Sequence, residues 1–360
     1  EKFTVFAYIE MLSVTLKLIN VYLLMIVPTD KLIFYAGLNF STQILIAIIY
    51  RFYCLNHYPE SKFEFIINRK IIRPMLTFSG WDLYGNMTIT AQEQGKNFLL
   101  NMFFGSIANA AVGISTTVNG MIQGFSYNIY TAFAPSIVKQ YANKSWKGFN
   151  DILVNSNKYT MLFFQMLSIP FALEAYYVFH IWLGVVPAYA VSFSRLIVFI
   201  SFVSISLKTL GQGIHATGDI RRISFITGSI YLFSVLITYI VFKLGYSAEW
   251  AFYSILASVI LASYSNLAIL KRQCPYFCVR YFIQKCYMPV ILVCVLNLTI
   301  CGRIHITLHY GFLRFFFICV TSSIMTGILS FLMLSRNKRQ LVLHFVNERL
   351  NTFYGKKGSQ

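Results

Sequence analysis

Apolar residues run along this chain in blocks long enough to cross a bilayer, each closed by a short polar break. A helix rises 1.5 Å per residue, so about 20 apolar residues span the hydrocarbon. Ten blocks approach or exceed that length: 4–28, 32–50, 77–104, 108–134, 159–179, 188–210, 223–243, 248–270, 287–303 and 312–334. They predict an all-α, polytopic membrane protein of about ten transmembrane helices. Residues 4–28 already form a span directly behind Glu1, without an initiator Met or a cleavable signal pattern, so the native N-terminus is expected upstream.

The breaks alternate in charge. Arg51, Lys62, Arg69, Lys70 and Arg73 follow the second span, and Lys139, Lys144, Lys147 and Lys158 the fourth. Lys208, Arg221 and Arg222 follow the sixth, and Lys271, Arg272, Arg280 and Lys285 the eighth. Arg336, Lys338, Arg339, Arg349, Lys356 and Lys357 lie in the tail. The alternate breaks hold only Lys31, Lys243, Arg303 and Arg314, a ratio of 22 to 4. Positive loops stay in the cytoplasm, which puts the C-terminus there. Residues 56–75, 139–157 and 336–354 mix basic with apolar side chains, and read either as amphipathic helices on an anionic leaflet or as ordinary basic loops.

Composition agrees with the blocks. Hydrophobic residues make up 57% of the 360, charged residues 12%, and mean hydropathy is +0.62. A soluble domain carries roughly 25% charged residues. The net charge of +18 is spread over short loops, so nucleic acid is not an expected partner. No loop has room for a soluble catalytic domain, and no GxxxxGK[ST] stretch is present, which excludes an ATP-driven pump acting alone. The seven cysteines are expected as free thiols, because Cys274-Pro-Tyr-Phe-Cys278 lacks the spacing and the second pair of a zinc site.

Charges inside spans carry the functional signal: Glu10, Lys17, Asp82, Glu93, Lys96, Glu174 and Arg195. Each costs about 3 kcal/mol at a helix centre facing lipid, so they must face protein, water or the interface. Glu174 and Arg195 lie near span ends and could instead snorkel. Glu10 and Lys17 share one helix face, which suits pairing with neighbours. From Trp81 to Gly105, Asp82, Asn86, Thr90, Glu93, Lys96, Asn97 and Asn101 fall within an arc of about 140° at 100° per residue. Ile89 and Leu100 interrupt that arc. A soluble amphipathic helix would look similar; within a membrane chain, the polar face is expected to line a water-filled cavity. In the next span Asn109, Gly113, Thr116, Gly120, Gln123, Tyr127 and Thr131 recur every three or four residues, which suits close helix approach with amides bonding across.

Three motifs of this region have a familiar order: Gly80-Trp81-Asp82-Leu83-Tyr84-Gly85, then the run from Gly95 to Gly105, then Asn109-Ala110-Ala111-Val112-Gly113-Ile114. With Ala134-Pro135-Ser136, Trp182-Leu183-Gly184 and Ala216-Thr217-Gly218 they resemble bacterial polysaccharide flippases of the multidrug/oligosaccharidyl-lipid/polysaccharide exporter superfamily. The resemblance implies a MATE-like flippase fold of two six-helix lobes, in which these spans match helices five to fourteen and the first four helices are lacking. Residues 1–75 would end an incomplete N-terminal lobe, 76–285 would form the six-helix C-terminal lobe, and 286–360 an extra helix pair with a basic tail. The implied activity is translocation of undecaprenyl-diphosphate-linked repeat units across the bacterial inner membrane, without catalysis and without a cofactor beyond a coupling H+ or Na+. Polysaccharide assembly proteins would be its partners beside membrane lipids.

Under this reading Lys96 or Arg195 attracts the diphosphate, and Asn86, Asn97, Asn101 and Gln123 bond sugar hydroxyls, with Asn109 lining the same space. Tyr127 and Trp81 stack on sugar faces, and Asp82 or Glu93 takes up the coupling ion. A multidrug or cation antiporter of the same superfamily is the alternative transporter. A membrane-embedded polymerase or acyltransferase is the alternative enzyme, with only His180, His305 and His309 outside to serve it.

Overall fold

The longest helix cannot be a single crossing. In the computed structural model, which describes residues 3–25, 30–61, 68–334 and 339–340, α3 runs over Arg69–Ala142. Its 74 residues would extend about 110 Å, against roughly 30 Å of hydrocarbon. The break is at Gly105, whose φ of 78° and ψ of −175° lie outside helical geometry and suit a residue without Cβ. Residues 69–104 and 106–142 are each long enough to cross, and both halves border one cavity, so the helix folds back at Gly105.

The other long helices are α1 (Phe3–Leu23), α2 (Lys31–His57), α4 (Trp146–Leu183), α5 (Ala190–His215), α6 (Arg221–Lys243), α7 (Trp250–Gln273), α9 (Met288–Thr307) and α10 (Phe312–Leu332). The short α8 (Val279–Phe282) runs through a π-turn into α9. Nine helices are long and apolar enough to cross a membrane among the described residues, which makes this a multi-pass membrane protein by length and composition.

The chain divides into two compact units, Glu1–Ile72 and Arg73–Gln360. In the first, α1 and α2 form a hairpin around buried Ile9, Ser13 and Ile46, tied by Asn20 Nδ2 donating to Thr42 Oγ1 at 2.9 Å. Glu10 and Lys17, expected to pair, are both exposed and form no ion pair among the described residues.

In the second unit α5 packs between α4 and α7, α6 lies on α7, and the α9–α10 hairpin lies on α4. One apolar core gathers Leu100, Phe164, Phe193 and Phe252, and a second gathers Phe149, Leu153, Leu210 and Phe282 at the end where the basic residues cluster. The first half of α3 presses on α6, where a Cβ at Gly95 would sit 2.8 Å from Val235 Cγ1.

Helix α4 is bent by its own sequence. Pro170 has no N–H to give to the carbonyl of Met166, and Ser322 Oγ from α10 donates there instead at 3.0 Å. Glu174, four residues on, departs from helical geometry with φ −104° and ψ 22°.

Three expectations for the loops change. Residues 139–157 form no separate surface helix: 139–142 end α3, and 146–157 are the first turns of α4, with Phe149, Leu153 and Asn157 buried. Lys208 and Arg314 belong to helices α5 and α10 and not to loops. Residues 69–75 open α3, whereas 62–67 of the segment 56–75, and 336–338 and 341–354 of the tail segment, lie outside the described residues.

Candidate functional site

Inside the second unit, polar side chains from five helical segments line a trough of two adjoining cavities. The larger, about 310 Å³, takes Gln92, Glu93 and Lys96 from the first half of α3 and Thr116, Asn119 and Gln123 from the second. Helix α5 adds Ser201, Ser204 and Lys208, and α6 and α7 close it with Tyr231 and Phe252. The other, about 230 Å³, lies toward the basic end and is lined by Asp82, Asn86, Tyr130, Gln212, His215 and Asn266 among others. Ile89, Leu207, Lys208 and Tyr231 border both. Small-molecule pockets run from roughly 300 to 1,000 Å³, so the trough is of ligand size.

The face of α3 that does this lining is centred on Ile89. Asp82, Gly85, Asn86, Ile89, Gln92, Glu93 and Lys96 lie within about 60° either side of it at 100° per residue. Ile89, which looked like an intrusion, is the middle of the wall. Asn97 and Asn101 are turned about 80° and 120° away. They do not line the trough: Asn97 is half-buried with its Oδ1 unbonded among the described residues, and Asn101 is exposed. Asn109, just beyond the Gly105 break, is also exposed and outside it.

Gln123 sits at the junction, where its Nε2 donates to Ser201 Oγ at 2.6 Å and its Oε1 accepts from Lys208 Nζ at 3.2 Å. Tyr127 borders a crevice of only about 20 Å³, room for about one water. Tyr130, one turn on, reaches the trough and donates to Gln212 Oε1 at 3.2 Å.

Arg195 is a correction. It does not enter the trough; its Nε donates to the carbonyl of Ala172 at 2.8 Å, beside the bend in α4 where a helical partner is disturbed. Lys96 does enter. It is 9% exposed, its ammonium lies 5.7 Å from the Phe252 ring centre, and no carboxylate pairs with it among the described residues.

The residues that sequence reasoning missed are mainly on α5. Ser201, Ser204, Lys208, Gln212 and His215 recur every three or four residues, the same signal that marked α3. Placing Lys208 in a loop hid it. Gln92 was also missed; its Nε2 donates to Ser234 Oγ at 2.5 Å and Ser258 Oγ at 3.0 Å, tying α3 to α6 and α7 below the wall.

Other candidates have structural employment. Glu174 is 1% exposed and pairs through Oε2 with Arg314 Nη2 at 2.7 Å and through Oε1 with His305 Nδ1 at 2.6 Å. His180 stacks on Tyr176. All seven cysteines are free, and burial pushes the Cys274 thiol up from its ordinary value, away from the thiolate a metal needs.

No protein-family model matches this chain, and neither the curated proteins nor the solved structures contain a detectable match to it.

Proposed function

We propose that this chain carries the translocation path of a flippase for a lipid-linked oligosaccharide, with the phosphate or diphosphate held in the α3–α5 trough. Lys96 and Lys208 in one intramembrane cavity, with Glu93 as the sole acid lining it among the described residues, carry this reading. Two cations against one acid leave an excess positive charge where water screens poorly, which attracts an anionic headgroup and repels a cationic drug. Amides and hydroxyls around the lysines suit sugar hydroxyls. The motifs from Gly80 to Ile114, similar to those of polysaccharide flippases, support undecaprenyl diphosphate as the carrier and the bacterial inner membrane as the site. The positive-inside rule puts the basic end, and the C-terminus, in the cytoplasm. Alternating access by lobe rocking, driven by H+ or Na+ at Glu93 or Asp82, is the mechanism this site would serve.

The chain is tested in proteoliposomes with a fluorescent polyprenyl-diphosphate saccharide, by quenching of the outer leaflet. Wild-type protein should move probe between leaflets, and Lys96→Ala and Lys208→Ala should slow it at least tenfold while inserting normally. Unchanged movement in both variants rules the trough out as the phosphate path. A reporter fused to the C-terminus should read as cytoplasmic; a periplasmic signal would invert the topology.

A further inference from the structure

The two cavities of the trough differ in charge: with Lys208 bordering both, lysines outnumber the acid in the larger, whereas Asp82 balances Lys208 in the other. The larger holds Lys96 and Glu93, and Lys208 stands between the two cavities. At the basic end, beyond Lys208, the charged wall is Asp82, with His215 opposite on α5 and its ring edge-on to Phe78 at 6.2 Å. Asn86 Nδ2 donates to Asp82 Oδ2 at 3.1 Å and to the Asp82 carbonyl at 2.9 Å. Oδ1 of Asp82 makes no hydrogen bond or ion pair among the described residues, so a carboxylate oxygen remains open to a donor beside the void.

Resting on the flippase reading, we infer that Asp82 selects against acidic sugars: the sugar next to the phosphate is neutral or amino-substituted. Asp82 is seven residues, about 10 Å along the helix, from Ile89, which borders both cavities. A headgroup with its phosphate at the level of Lys208 and its sugar directed toward the basic end presents that sugar to the Asp82 wall. There a hydroxyl, an N-acetyl N–H or an ammonium can donate to Oδ1, and Asn86, Gln212 and Asn266 offer further hydrogen-bonding groups. A uronic carboxylate in the same place meets Asp82 as a like charge in a poorly screened space.

The test is equilibrium binding to the full chain in detergent micelles at pH 8, above the ordinary histidine value of about 6.5. The probes are N-acetylglucosamine 1-phosphate and glucuronic acid 1-phosphate. Wild-type protein should bind the neutral sugar phosphate at least tenfold more tightly than the acidic one. Asp82→Asn keeps an acceptor for Asn86 and should bring the two within threefold by improving binding of the acidic sugar. Asn86→Asp, which adds a second carboxylate, should widen the gap, and serves where Asp82→Asn does not fold. Equal affinities in wild type, or a gap untouched by both substitutions, overturn the selectivity and leave the phosphate site standing. If neither probe binds, the phosphate site itself falls and the selectivity with it.

Discussion

Two clusters of charge lie within the helices of the second unit, and they are built in opposite ways. Around Glu174 the carboxylate is closed: both oxygens are taken, by Arg314 and His305, and Arg314 also donates to the His305 carbonyl at 3.3 Å and lies over Tyr310 at 5.3 Å. The cluster joins the bend in α4 to the facing ends of α9 and α10. Around the trough the charges are left open: Lys96, Glu93 and Asp82 form no ion pair among the described residues, and each borders a void. A closed cluster in a low dielectric holds helices together; an open one beside a cavity leaves its charge for a ligand. Counting intramembrane charges in the sequence treats the two alike.

The largest effect should come from opening the closed cluster. Glu174→Ala strands the Arg314 guanidinium, whose Nε already lacks a partner among the described residues, and removing one member of a buried pair costs about 3–5 kcal/mol. Thermal unfolding in detergent micelles should show a large loss for Glu174→Ala and recovery of most of it in the double variant Glu174→Leu/Arg314→Leu. Stability unchanged in Glu174→Ala would mean that the cluster does not lock α9 and α10 to α4.

Charge removed from the open cluster should do the reverse. Lys96→Ala and Lys208→Ala should each weaken binding of a sugar phosphate by tenfold or more, about 1.4 kcal/mol, with little change in unfolding temperature. Loss of stability comparable to that of Glu174→Ala would class the lysines as structural and erase the contrast.

Gln92 tests the boundary between the two kinds of site. It lines the trough, yet its amide is bound to Ser234 and Ser258. Interhelical hydrogen bonds in membranes average about 0.6 kcal/mol and reach about 1.7. Gln92→Leu removes two bonds and leaves the serines to their own helix carbonyls, so a stability loss of about 1 kcal/mol is expected, with affinity changed less than in the lysine variants. A tenfold affinity loss without a stability loss would move Gln92 into the ligand site.

Block length and polarity were enough to read the helical, multi-pass architecture, because a bilayer imposes one length on every crossing. The helical stripe on α3 was legible for the same reason of fixed period: Asp82, Asn86, Glu93 and Lys96, which it groups, line the two cavities. The centre of that wall was not legible. It depends on which flank packs against α6, and the close approach of Gly95 to Val235 that sets this rotation is a tertiary fact. Glu174 could not be separated from a snorkelling residue, since its partners Arg314 and His305 come from more than 130 positions away. Lys208 was legible in principle from its spacing with Ser201, Ser204 and Gln212, but a basic residue so close to a span end reads equally as the start of a loop.

Arg195 offers the smallest effect and the finest discrimination. By sequence it is a second cation within a span, a phosphate anchor beside Lys96 if it points inward and a snorkelling residue if it does not. Its guanidinium instead spends one N–H on the Ala172 carbonyl at the bend of α4, on an exposed flank outside the trough. Arg195→Gln keeps an N–H donor of shorter reach and removes the charge. Because α5 is held to α4 by buried apolar neighbours such as Phe193 and Ile197, the loss of one exposed hydrogen bond should shift thermal unfolding by no more than about 2 °C. Sugar-phosphate affinity should stay within about twofold of wild type, because Arg195 lies outside the cavity with its Nε–H engaged by the Ala172 carbonyl. Measured beside Lys96→Ala in the same micelles, the two substitutions separate a cation that faces a void from one that serves a bend. An affinity loss in Arg195→Gln matching that of Lys96→Ala would extend the ligand site around α5 to the α4 bend, and the open and closed clusters would then be parts of one path.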